Sequence, residues 1–561
     1  MQTTKRQVLC LSLAVFILSA AILPADEGSL LSEKIIRLPE LAVSETLKLR
    51  PEEKWLTGQI LNFEIFSNAS ERETKDFAAK LYKFHQAFVQ LFPQVTSISR
   101  DKITLVLCGS RDKYLALAPE EAGRIDMRRG NLVYSTLQDH YGTTFLINLD
   151  VQSFFGDGVS VGSDGEGNTF TQGTGSEFID GETLVRQQYV RLLLSRTQPR
   201  PPAWLEEGVA RYFDSLQVKK DKITFAQLDM SLTRYFSNER GIPRRMLSMP
   251  EFFAITYGSR EYKRSAGGTF SHQALAFVHF GMLSHKGRYR NAFLQFIEEA
   301  CKAPVTEDMF RRYFKMSFDD MESALRDYVQ GGFYKHVVVP KITALPPPPA
   351  LDLRQATDAE AGRMKGDVLR LVNRYDDARI ELVSTIMRKH ADPRMLGSLG
   401  LLNYETQSYT AARIFLEAAV QAKVDEPAPY VTLAKLGMAE AKRDNLVEKL
   451  SPTQLKDVLT PLYAALAQKR LHPEIYLTIA DAWLISEAVP TFENLAILDE
   501  GVLAFPRNTE LIFKNAALKA RHGYTEDAQS LIELGLKTAK DSSARNYFMR
   551  LKSSLRAPTT P

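Results

Sequence analysis

The sequence is poor in the residues from which compact chemical sites are usually built. It holds three cysteines and nine histidines in 561 residues. Cys10 falls in an apolar N-terminal run, leaving Cys108 and Cys301, far apart and in no CxxC pair, so a thiolate zinc or dithiol redox motif is excluded. Cys108 ends the apolar run Ile103–Cys108 and reads as a buried strand residue. No two histidines stand three to five residues apart. His272 and His279, seven apart on one predicted helix, are separated along its axis by about 10.5 Å, too far to share a zinc ion. They read as packing or capping residues. Charge of one sign is lacking too: 71 Lys and Arg face 67 Asp and Glu, with no dense basic run, so nucleic-acid binding has no support. There is no G-x-S-x-G elbow. The glycines between Gly156 and Gly181 lead into no Lys-Ser/Thr helix start, so they form no phosphate cradle.

What is present divides the chain. Its length is too great for a single core, and two to four domains are expected. Lys5 and Arg6 precede an apolar stretch, Val8–Leu23, followed by Pro24-Ala25-Asp26. This reads as a secretory signal over 1–25, cleaved after Ala25 or Ala21, with an uncleaved anchor as the alternative. Residues 26–59 are an N-terminal extension, and 60–340 read as mixed α/β. Phe63–Phe66 predicts a strand, Asn68-Ala69-Ser70 a turn and helix start, and Glu71–Phe92 a helix with apolar spacings of three and four. Strands are predicted at Ile103–Cys108 and Thr143–Asn148, and Gly156–Gly181 as a mobile loop or long-tipped hairpin. Four consecutive prolines, Pro346 to Pro349, mark a stiff linker over 341–356.

Residues 357–556 are helical and periodic. Gly366, Tyr375, Ala378 and Leu382 recur as Gly400, Tyr409, Ala412 and Leu416, each pair 34 residues apart. The small residues suit close helix crossings, and the large ones are expected to fill the groove between paired helices. Units fall near 359–392 and 393–426, with an off-pattern helical stretch over 427–472 and weaker copies near 473–506 and 509–542. This resembles the tetratricopeptide family, which implies a stack of helix pairs with a concave face for a protein or peptide partner.

The segment Glu182–Ser215 carries the chemistry. Trp204-Leu205-Glu206-Glu207-Gly208-Val209-Ala210, after the break Pro201-Pro202, is similar to the W-L-x-E-G-x-A helix of gluzincin-type, peptidase MA-like domains of exported bacterial proteins. Trp204, Leu205, Gly208 and Ala210 match its fixed positions. The resemblance implies a zincin-like α+β domain and, on the preceding helix, HExxH. There two histidines at i and i+4 clasp zinc, the glutamate is general base, and a glutamate at Glu207 is the third ligand.

Here the first His falls on Gln187, the base on Gln188 and the second His on Arg191. A glutamine amide is no base near neutral pH, and a guanidinium repels a divalent ion. Zinc binding is therefore expected to be lost, with no other cofactor in its place. Arg191 is expected to pair with Glu207 and stand in for the ion, the alternative being that it points to solvent. The expected fold is an α+β zincin-like domain followed by an all-α tetratricopeptide-type solenoid. The expected function is that of a non-catalytic, peptidase-like protein of the bacterial periplasm or envelope, touching membrane only if its leader is uncleaved. An active zinc peptidase with atypical ligands and a scaffold acting through its repeats alone are the alternatives.

Overall fold

A computed structural model describes residues 50–556 except 93–102, 121–133, 139–140, 151–152, 156–158, 164–168, 174–177, 196, 198–199, 220–221, 229, 238–243, 258, 260–261, 263–267, 341–344, 389, 391, 445–448, 469–470 and 540–541. The leader, Cys10 and most of the N-terminal extension lie outside the described residues. Among those residues, no helix is long and apolar enough to cross a membrane. All the elements named here belong to the unit Ile36–Pro561.

The chain opens with the hairpin β1 (Leu56–Ile60) and β2 (Phe63–Ser67), then crosses through α1 (Glu71–Leu91) to β3 (Ile103–Cys108). Ser70 begins α1 with a reciprocal capping box to Glu73, as the turn signal predicts. A short helix, α2 (Arg111–Leu117), and the hairpin β4 (Tyr134–Gln138) and β5 (Thr143–Asn148) complete this portion. β2, β3 and β5 run parallel, with β1 and β4 antiparallel outside them. Next come β6 (Ser153–Phe155), β7 (Val159–Ser163), β8 (Thr169–Gly173) and β9 (Phe178–Asp180). β7 pairs with β8 and β6 with β9, both antiparallel, so the glycine-rich stretch takes the hairpin form.

Helices then dominate: α3 (Gly181–Ser195) and α4 (Ala203–Tyr212), the hairpin β10 (Gln217–Lys219) and β11 (Lys222–Phe225), then α5 (Ser231–Ser237) and α6 (Met249–Ala254). They continue with α7 (Thr269–Leu283), α8 (Arg290–Ala300), α9 (Glu307–Phe314) and α10 (Phe318–Gly331). The strand β12 (Val337–Val339) joins β11, and β13 (Arg354–Gln355) joins β1 at the edge of the main sheet. The sheet thus begins before residue 60. It also takes in the end of the stretch expected to be linker, because β13 offers β1 a backbone partner it would otherwise lack.

The rest is a run of helix pairs: α11 (Asp358–Leu371) with α12 (Tyr375–Met387), and α13 (Pro393–Glu405) with α14 (Tyr409–Gln421). Then come α15 (Pro427–Asp444) with α16 (Pro452–Leu466), α17 (Pro473–Leu484) with α18 (Phe492–Ala504), α19 (Thr509–Arg521) with α20 (Thr525–Thr538), and the last helix, α21 (Ser542–Arg556). The repeated glycines explain the pairing. A Cβ on Gly366 would lie 2.6 Å from Leu382, and one on Gly400 2.6 Å from Leu416, so each leucine fills the notch its glycine leaves. Ala378 and Ala412 are fully buried at the same crossings. The two tyrosines differ: both start second helices, but Tyr375 is partly buried against the core of the first pairs, whereas Tyr409 is 38% exposed and does not fill its groove. The turns repeat as well. Asn373 and Gln407 take the left-handed conformation, and the following amides bond back to Leu369 and Asn403.

The sheet is covered on both faces. Ile65, Leu105, Leu107 and Ile147 pack on α1 and the α3–α10 helices. Phe66, Val106, Cys108 and Leu146 instead join Met364, Val368, Leu382 and Leu399 of the first helix pairs in a second core. The periodic helices are therefore a layer of the sheet's own sandwich. Arg374, in the turn between α11 and α12, reinforces the join: its Nη1 donates to the carbonyls of Leu115, Ala116 and Ala118 at the end of α2.

Candidate functional site

α4 is almost entirely buried because it runs between α3 and α7. Gly208 lets it approach. A Cβ there would lie 2.5 Å from a Val278 methyl and 2.6 Å from the Ala274 carbonyl. Trp204, with no solvent exposure, anchors the other side, its ring 5.4–5.9 Å from those of Phe277, Phe253 and Phe296. Leu205 and Ala210 are buried in the same core. The fixed positions of the motif thus do packing work, and they deliver Glu206 and Glu207 into the interior.

Glu207 meets Arg191 of α3. The guanidinium donates through Nε at 3.0 Å, with Nη2 2.9 Å away, both on Oε2. The pairing expected from the sequence is present, and the carboxylate is buried, its side chain 3% exposed. The rest of the guanidinium is engaged by the substituted positions: Nη1 donates to Gln188 Oε1 at 3.3 Å and Nη2 to Gln187 Oε1 at 3.5 Å. Gln187 in turn donates through Nε2 to Asp214 Oδ2 at 3.0 Å. On the other oxygen of Glu207, Ser271 of α7 donates its hydroxyl and itself accepts from Arg211 Nη1. The network binds α3, α4 and α7 together, with donors directed at a carboxylate that burial alone would disfavour.

Glu206 has its own clamp. Arg200, just before Pro201-Pro202, grips it through Nε and Nη2 at 3.0 and 3.1 Å. The Tyr257 and Tyr262 hydroxyls donate to the same carboxylate at 2.9 and 3.3 Å, and Arg200 lies 3.6 Å over the Tyr257 ring. Burial, then the charge of Glu206, pushes both tyrosine hydroxyls well above their usual range, so they act as donors. Both glutamates of the motif are thus neutralised by arginine.

The donor set does not fit zinc. Of the four positions that the resemblance aligns with a zinc site only Glu207 is a carboxylate, and its oxygens are committed to a guanidinium and a serine hydroxyl. Among the described residues, no group of three His, Cys, Asp or Glu is placed to hold a metal ion. His279 is buried, accepting from the Tyr328 hydroxyl at 2.7 Å through Nδ1 and donating to Ala226 O at 3.2 Å through Nε2. Burial pulls its pKa down to about 4, so it stays neutral. His272 stacks on Tyr235 at 3.7 Å. Cys108 and Cys301 are free thiols, and burial pushes Cys108 up to about 12, far from nucleophilic use.

Sequence reasoning missed Ser271, Arg211, Asp214 and the Arg200–Tyr257–Tyr262 clamp. Arg211, four residues after Glu207 on one helix face, carried a local signal. Ser271 and the tyrosines reach the site only through tertiary packing. The sequence matches no family model, and no curated protein sequence matches it.

Proposed function

We propose that this is a non-catalytic, peptidase-like exported protein: a zincin-like α+β domain, related in pattern to gluzincins, built onto a tetratricopeptide-type module that recruits a protein or peptide. The pair Arg191–Glu207 carries the reading. A fixed monocation at the position of the second histidine supplies the attraction to Glu207 that a metal would otherwise supply. It offers no open coordination position and activates no water. Gln188, at the general-base position, donates or accepts a hydrogen bond but takes no proton. The motif's packing residues are kept while its reactive ones are exchanged, which suits a domain retained for shape and binding. Export rests on the basic start and apolar run of the leader. The helix pairs, stacked at a 34-residue period in their first two units, suit recognition of a protein partner. Neither a cofactor nor nucleic acid enters this role.

Metal analysis of the purified chain, paired with hydrolysis of a fluorogenic protein substrate, tests the proposal. Zinc well below one ion per chain and no chelator-sensitive hydrolysis are expected. Stoichiometric zinc whose removal abolishes hydrolysis would overturn it.

A further inference from the structure

The end of the chain carries a charge that the rest does not. Residues Lys537–Pro561 hold six Lys or Arg against one Asp, a surplus larger than the +4 of the whole sequence. Everything before them is close to neutral. Within α21 every charged side chain, Arg545, Arg550, Lys552 and Arg556, is basic.

Packing fixes which face of α21 looks outward. Phe548, 1% exposed, fills the notch left by Gly535 of α20, where a Cβ would lie 2.1 Å from its ring. The same ring stands 5.4 Å from that of Phe513 on α19. Lys552, four residues on, shares this inner side and lies 4.0 Å from Glu533. The helical period puts Arg545, Met549 and Arg550 on the outer face, with Tyr547 at its border. Arg545 and Arg550 are exposed and have neither ion pair nor hydrogen bond among the described residues. Beside them Tyr547 is 57% and Met549 52% exposed. The end of a helical stack is ordinarily closed by a polar face. This one sets two large apolar side chains among unneutralised cations.

The size and sign of the face select its partner. Fifteen residues make a helix about 22 Å long and about 10 Å across. One side of it falls well short of the roughly 800 Å2 that each partner contributes to a stable protein interface. A second copy of α21 would bring the same cations face to face. An anionic bilayer needs no complementary pocket. It attracts each cation separately and takes exposed tyrosine and methionine side chains at the headgroup boundary.

We propose that α21 docks this protein on an anionic lipid surface, with Arg545 and Arg550 against headgroup phosphates and Met549 and Tyr547 entering the interface. The helix does not insert, because its other side stays packed on α19 and α20 through Phe548. The contact is peripheral and reversible, and it stands or falls independently of the peptidase-like reading.

Cosedimentation with vesicles tests the proposal, using residues 26–561, the form left when the leader is removed, which keeps every described element. Vesicles of phosphatidylcholine with phosphatidylglycerol should bind it, those of phosphatidylcholine alone should not, and added salt should release it. Arg545→Gln with Arg550→Gln should weaken binding at least about tenfold, with the thermal melt unchanged. Lys219→Gln with Lys222→Gln, the same loss of charge on β10 and β11, should leave binding as it was. Met549→Ser should weaken it by a smaller factor. Absence of binding to the anionic vesicles, the result expected if the face serves an acidic protein instead, would overturn the proposal. So would undiminished binding of the arginine variant, or equal weakening in the lysine variant.

Discussion

Arg191 is half-buried against Glu207 and Arg363 is buried near Asp367 and Glu426, yet the two surroundings differ in how far they satisfy the charge. Around Arg191, Nε, Nη1 and Nη2 all donate, and the carboxylate it holds is completed by Ser271. Around Arg363 the bonds are stretched and Nε meets no acceptor. A closed network is a structural joint; around Arg363 the charge is instead shared over longer contacts. The same contrast separates the two halves of the sheet's second face: Phe66, Val106 and Leu146 seal it, whereas Glu64 and Thr104 leave it open.

The sealed half is expected to be the most consequential. Ending the chain at Pro348 removes every helix pair and strand β13, uncovering Trp55, Phe66, Val106 and Leu146. Such a fragment should lose near-ultraviolet circular dichroism and bind hydrophobic dyes. A soluble, cooperatively unfolding fragment would show the helix pairs to be a separable domain.

A smaller effect should come from His279. Its pKa falls from 6.5 unfolded to about 4 folded because burial disfavours the charged ring. The unfolded chain therefore binds the extra proton between those values, and stability falls as pH drops through that window. The loss amounts to about 3 kcal/mol from this group, taking about 1.4 kcal/mol for each pKa unit. Denaturant titrations at several pH values should show that slope flattened in His279→Gln.

Glycine substitutions separate the two kinds of helix crossing with the least expected change. Gly208→Ala drives a Cβ against the Ala274 backbone, which cannot swing away, and should cost about 1–3 kcal/mol. Gly366→Ala meets only the Leu382 side chain, and its helix-propensity gain offsets part of the strain, leaving less than about 1 kcal/mol. Equal losses in urea melts would contradict this distinction.

Much of the fold was legible where local signals were strong. The capping box at Ser70, the apolar run Ile103–Cys108 and the 34-residue recurrence each encode a local rule, and the elements appear where those rules put them. The Arg191–Glu207 pair was legible because a motif fixed the relation of two helices. The join between the sheet and the helix pairs was not, since the four prolines suggested a spacer, whereas β13 and Arg374 are recruited by distant parts of the chain. The role of Tyr409 was misread because recurrence marks a structural position without saying which way a side chain faces. The cavity that Arg363 lines with Glu64 and Thr104 was invisible, because it forms where two layers diverge.

The claim that Arg191 replaces an ion at Glu207 is tested most directly by a double-mutant cycle of Arg191→Met and Glu207→Gln in urea unfolding. Arg191→Met alone should cost about 3–5 kcal/mol, since it strands a buried carboxylate. Adding Glu207→Gln should then restore a large part of that loss, giving a coupling above about 1 kcal/mol. A loss below about 0.5 kcal/mol in Arg191→Met, with no coupling to Glu207, would contradict the account.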